Sequence, residues 1–161
     1  MLMQNLSVEV ETLNFLKIFL FGSDKLYKIS DECVVAVAGF FADANVLIQQ
    51  LRVTAERYRF QYGSPMPLEQ LVIQICDIKH RVTQFGGNRP YGVSLLFAGY
   101  DKRNGFQLYL SDPAGNYSGW KATCIGNNSA TANSILKSDW SEEMDLDKGI
   151  GLALKILTEN S

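Results

Sequence analysis

The chain is poor in the residues that build metal and disulfide sites. Its 161 residues include one histidine, His80, and three cysteines, Cys33, Cys76 and Cys124. The cysteines are widely spaced and odd in number, which argues against a disulfide framework and for a reducing compartment. There is no C-x-x-C pair, and with a single histidine neither a structural zinc site nor any other metal is expected. An excess of charge is missing as well: 15 Lys and Arg face 17 Asp and Glu, a formal net charge of -2. Without a broad basic field, nucleic acid is a poor first candidate for a partner. Apolar runs of membrane length are absent too. Residues 13–22, "LNFLKIFLFG", are interrupted by Lys17 and fall short of the ~20 residues a bilayer span needs. They follow no basic leader and precede no clear small-residue cleavage site, so they read as a buried strand or helix rather than a secretory signal or membrane anchor.

What is present is the composition of a globular domain. Hydrophobic residues make up 47%, in a length that suits one domain with a substantial core. Residues 33–38, "CVVAVA", predict a strand buried on both faces that ends in a close backbone approach at Gly39. Asp43 then precedes a helical pattern over residues 44–62, with Leu47, Leu51, Ala55, Tyr58 and Tyr62 along one side. Gly63 suits a helix C-cap, and Pro67 and Glu69 suit the first turn of a second helix. Leu68, Leu71, Val72, Ile75 and Cys76 complete its apolar stripe, so Cys76 reads as a small core residue. His80, close to Lys79 and Arg81, reads as solvated.

The stretch "TQFGGNRPYG", residues 83–92, crowds backbone-bending residues between two patterned segments. Gly86 and Gly87 can end the helix, and Pro90 pushes Arg89 into an extended conformation. It is a helix-to-sheet corner. Residues 93–101, "VSLLFAGYD", alternate little and predict another buried strand. Asn104-Gly105 marks a hairpin, "FQLYLSD" the returning strand, "PAGNY" a turn and "GWKATCIG" a third strand. Asn127 or Asn128 can cap a short helix ending near Lys137. Leu146, Ile150, Ala153, Leu154 and Leu157 form the stripe of a last helix, which Leu152 and Ile156 widen. A helix greasy on more than one side calls for a further covering surface. Strands and helix pairs segregated in this way predict an α+β layered domain. Periodicity alone names no function.

Longer motifs do. "TQFGGNRPYGVSLLFAGYD", "LYLSDPAGNYSGWKATCIGNNS" and "YKISDECVVAVAGFFADANVL" resemble the α-type subunits of the proteasome core particle, and the resemblance runs from about Phe21 to the C-terminus. It implies a four-layer αββα sandwich of the N-terminal-nucleophile hydrolase type. It also implies a non-catalytic ring subunit that caps the catalytic β rings, gates substrate entry and docks activators in ubiquitin-dependent degradation. The implied partners are other α subunits, β subunits, and the C-terminal tails of a regulatory particle or activator; the implied compartments are cytoplasm and nucleus. No cofactor is implied.

Catalysis in the related β subunits needs an N-terminal threonine whose amine and hydroxyl act together. Thr12, Thr54, Thr83, Thr123, Thr131 and Thr158 are all internal here. The resemblance places an activator-tail pocket at Lys25, whose ammonium would pair with a terminal carboxylate, and at Gly39, whose bare backbone would shape the cleft. On residue type alone, Lys25 is equally an ordinary surface lysine and Gly39 a strand terminator. Asp112, Pro113 and Gly115 are expected to fix a turn. The family's gating tail, first helix and first strands are not recognisable before Phe21, and its last strands and helix do not follow Ser161. A single α-type domain with an incomplete sandwich, truncated at both ends, is the expectation, with uncovered edges that favour self-association. Two alternatives stand beside this reading: an active N-terminal-nucleophile hydrolase, and a free-standing interaction module that binds a peptide at a sheet edge.

Overall fold

The computed structural model describes residues 25–85, 88–142 and 144–159. These fall into two compact units, one spanning Lys25–Lys121 and one that includes residues 122–159. The run at residues 13–22 and the Gly86-Gly87 pair lie outside the described residues.

The first unit starts with two short strands, β1 (Leu26–Ser30) and β2 (Cys33–Gly39). Two helices follow, α1 (Phe41–Tyr62) and α2 (Leu68–Gln84), then β3 (Val93–Asp101), β4 (Gly105–Ser111) and β5 (Tyr117–Trp120). All five strands form one antiparallel sheet in the order β1-β2-β3-β4-β5. The unit is therefore α+β, as expected, and supplies one sheet and one helix layer of the anticipated sandwich. The paired helices explain the antiparallel return of β3. One helix carries the chain back along the sheet and the second carries it forward, so β3 enters beside β2 in the opposite sense.

The alternation of side chains along each strand sorts the sheet into two faces. One helix-facing row joins Val37, Leu95 and Ser111; the next joins Val35, Phe97 and Tyr109. Against these rows α1 packs Ala44, Leu47, Ile48, Leu51 and Ala55, and α2 packs Leu68, Leu71, Val72, Ile75 and Cys76. The stripe expected on α2 is thus buried in full. On α1 the stripe is correct through Ala55, but Tyr62 is exposed, because the helix end overhangs the core. Along β3 burial alternates strictly rather than remaining high on every residue. Its residues are apolar on both faces, yet the helices cover only one.

Other boundaries also shift. Asp43 lies inside the first turn of α1 rather than before it. Gly63 takes the left-handed conformation at φ 66 and donates its N–H to the Arg59 carbonyl, the expected C-cap. Helix α2 ends at Phe85, which is extended and donates to the Arg81 carbonyl. The 101–105 hairpin turns on Gly105 at φ 71, with the Asp101 carboxylate accepting the Arg103 N–H. Strand β5 begins at Tyr117 and stops at Trp120, earlier and shorter than its expected run; residues 121–126 leave the ladder.

In the second unit, α3 (Ser129–Asp139) and α4 (Leu146–Glu159) pack on each other. Asn128 precedes α3 in the left-handed conformation, but its side chain makes no capping bond. Between the helices lies an apolar cleft of about 520 Å³, lined by residues that include Leu136, Trp140, Ile150, Ala153, Ile156 and Leu157.

Candidate functional site

Antiparallel pairing gathers alternate strand ends. β1 starts, β2 ends, β3 starts, β4 ends and β5 starts at the same end of the sheet. Both residues of the expected tail pocket lie there. Lys25 immediately precedes β1, is exposed, and accepts the Val37 N–H on its carbonyl at 2.9 Å. Gly39 closes β2 two residues beyond Val37 and pairs with Val93 in register. Its φ of 127 is one that side-chain-bearing residues rarely adopt, and a Cβ built there would stand 2.2 Å from the Gly92 carbonyl oxygen. The close approach expected at Gly39 is therefore present, and its partner is the corner that opens β3.

A carboxylate holds that corner. Asp43 accepts two bonds from the Arg89 guanidinium, at 2.6 and 2.8 Å, and one from the Gly92 N–H at 3.0 Å. The Arg89 bonds first, and the Gly92 N–H second, keep the Asp43 carboxyl below the usual carboxylate range. Phe40 completes the link by donating its N–H to the Gly92 carbonyl at 2.9 Å. Its ring lies where a side chain on Gly92 would have to go, yet remains 69% exposed. This explains the crowding of special residues in "TQFGGNRPYG". Arg89 anchors the loop to α1, and Gly92 lets it pass between Gly39 and Phe40.

Behind the same end sits a charged group that sequence reasoning missed. Lys79 on α2 is completely buried. Its ammonium donates to the Val93 carbonyl at 3.1 Å, the Ser111 hydroxyl at 3.0 Å and the Asp112 carbonyl at 3.1 Å. Three acceptors from two strand ends and a turn satisfy its three N–H donors. Burial pulls its pKa down from the ordinary lysine value to about 8, opposed by the nearby Cys76 and Asp112. A signal for this was available: position 79 continues the spacing of 68, 71, 72, 75 and 76, which puts it on the apolar face of α2.

The remaining candidates have structural places. Cys76 is buried with Sγ 3.2 Å from Ser111 Oγ, and burial raises its pKa, as suits a core thiol. His80 is exposed, its ring nitrogen 3.0 Å from Gln84. Asp112 does fix the turn: its carboxylate accepts the backbone and side-chain N–H groups of Asn116, each at 2.9 Å. Burial pushes the Asp112 carboxyl up, but these bonds and those from Ala114 and Gly115 bring it below its ordinary value. Gly115, at φ 95, lies so close to α2 that a Cβ would be 2.8 Å from the Cys76 carbonyl. Thr83 and Thr158 donate their hydroxyls to helix carbonyls, and the Thr123 hydroxyl donates to Asn133. Among the described residues, no three His, Cys, Asp or Glu side chains gather as they would around a metal. No helix among them is long and apolar enough to cross a membrane.

Comparison with known proteins gives this architecture a family. Residues 17–161 match the proteasome subunit family. Over 138 residues the chain is 56% identical to proteasome subunit alpha type-4-A of Arabidopsis thaliana and 56% identical to proteasome subunit alpha type-4 of Spinacia oleracea. It is 53% identical to proteasome subunit alpha type-4 of Petunia hybrida. Each match covers 86% of this chain and 55% of the relative, so the chain spans about half the length of the relatives it matches. Such identity over most of the sequence, with a family match over residues 17–161, leads to one conclusion: the chain belongs to the proteasome subunit family.

Proposed function

We propose that this chain is a non-catalytic α-ring subunit of the proteasome core particle, and that the sheet end bearing Lys25 and Gly39 docks the C-terminal tails of activators or of the regulatory particle. Its partners in this role are neighbouring α subunits and the β subunits beneath them. Its task is to help gate substrate entry in ubiquitin-dependent degradation, in the cytoplasm and nucleus. One observation carries the docking assignment: the β1–β2 ladder brings an exposed lysine beside the end of a strand whose last residue has no side chain and could not accept one. An exposed lysine at an exposed strand end suits a terminal carboxylate, which needs a charge partner within reach of main-chain groups. The non-catalytic assignment is supported by Thr83, Thr123 and Thr158, whose hydroxyls are committed to local bonds.

The test is binding of a tail peptide to rings assembled with this chain. A peptide with a free C-terminal carboxylate is expected to bind on the order of tenfold tighter than the same peptide amidated, and Lys25→Ala should erase the difference. Equal binding of acid and amide, or an indifferent Lys25→Ala ring, would overturn the docking assignment.

A further inference from the structure

We propose that Lys79 is a positioning residue for the docking end, acting through Val93 to hold the corner that opens β3 against Gly39 and Phe40. The inference rests on the docking role proposed for Lys25 and Gly39, but its structural half can be tested without a ligand.

The argument follows a chain of contacts. Lys79 donates to the carbonyl of Val93, the first residue of β3. Val93 is the register partner of Gly39, and the preceding carbonyl, of Gly92, is the atom nearest to the missing Cβ of Gly39. That same Gly92 carbonyl accepts the Phe40 N–H. The start of β3 is thus gripped from two sides. Asp43 holds the Gly92 N–H from α1, and Lys79 holds the Val93 carbonyl from α2. The second and third bonds of Lys79, to Ser111 and Asp112, fix its ammonium to the end of β4. A buried polar network of this kind gives a rigid geometry only when all its members are satisfied.

A lysine that served only to fill the core would have no reason to bond one carbonyl at the first residue of β3 and another at the turn leading from β4 to β5. A methionine would fill the space with less desolvation. The acceptors are also selective. One is the carbonyl at the start of β3, one the carbonyl of the turn after β4, and the third is the fully buried hydroxyl of Ser111. Each lies at the docking end, and the opposite end of the sheet is closed by other means, with the Tyr100 N–H bonded to the Glu32 carbonyl at 3.0 Å.

The experiment is amide hydrogen exchange on rings assembled with wild-type chain or with Lys79→Met, which keeps an unbranched side chain and removes the ammonium. Exchange at Phe40, Gly92 and Val93 is expected to rise tenfold or more. The Gly63 and Tyr100 amides, which sit in bonds remote from Lys79, should keep their wild-type rates. A uniform rise at all these sites, or no rise at the corner, would overturn the positioning role. If Lys79→Met does not assemble, Ser111→Ala removes one acceptor and leaves the ammonium in place. It should loosen the same three amides to a smaller extent, and wild-type protection there would equally overturn the proposal. In a parallel arm, the acid-over-amide preference for tail peptides should fall in Lys79→Met rings. Wild-type rings without that preference would sink the docking role alone, leaving exchange at the corner to decide the role of Lys79.

Discussion

Helices α2 and α4 carry the same kind of apolar stripe and meet different circumstances within their own units. α2 lies against a five-stranded sheet and buries Leu68, Leu71, Val72, Ile75 and Cys76. α4 has α3 as its helical neighbour; Ile156 is buried, while Leu154 and Leu157 remain 41% and 50% exposed. Periodicity thus records that a helix face requires cover, but not what supplies it. In the first unit the cover is encoded nearby, by strands whose inward residues match the stripe. In the second the helix pair leaves an open apolar cleft.

Truncating one side chain in each unit would break or uphold this contrast with the largest expected effect. Phe97→Ala empties a fully buried site between sheet and helices and should cost about 3–5 kcal/mol in denaturant unfolding. Leu154→Ala, at a half-open position, should cost under ~1 kcal/mol. Comparable losses would mean that α4 is packed as tightly as the sheet.

The units also differ in buried polarity, since Asp43, Lys79 and Ser111 all belong to the first. Lys79 gives that difference a pH signature. Its folded pKa of about 8 lies below its ordinary 10.5, so the unfolded chain holds the proton more tightly. Burying the ammonium therefore detracts from stability at neutral pH, and the penalty is relieved as pH rises from about 8 towards 10.5. Relative to Lys79→Met, the wild-type chain should gain up to about 3 kcal/mol over that interval. A stability difference that stays flat in pH would place the ammonium in contact with water.

The same substitution at two glycines should give modest effects of opposite sign. Gly39→Ala meets a backbone oxygen and an unfavourable φ, and should cost about 2 kcal/mol. Gly151→Ala, on α4 with open space around it, should stabilise by about 0.5–1 kcal/mol through helix propensity. Thermal melts of the two variants suffice to check this, and a destabilising Gly151→Ala would reveal a close neighbour on α4.

The fold of the first unit was largely legible because its signals are local. The α2 stripe, the Gly63 cap and the Asn104-Gly105 hairpin each depend on a few adjacent residues. Burial along β3 was misjudged for a different reason. A strand apolar on both faces does not say which face a helix will cover. The run "GWKATCIG" contains strand-forming residues, yet the ladder stops at Trp120 opposite Leu108 although β4 continues back to Gly105, so the chain leaves the sheet before its partner runs out. At the site, Gly39 was legible as a close approach, but its partner Gly92 lies 53 residues away and no spacing rule links them. Lys79 is legible only through its spacing on the α2 stripe, since a lysine taken by residue type signals a solvated face. The role of Lys25 came from resemblance alone, since a lone lysine before a strand carries no chemical signature.

The meander of alternating strand ends also divides labour along the sheet. Lys25, Gly39, the Gly92 corner and the Asp112 turn share one rim, while the Lys102–Asn104 turn projects from the other. A fluorophore or affinity tag spliced into that distal turn would ride on the subunit without touching the rim, which makes the turn a natural handle for testing whether tails bind there at all.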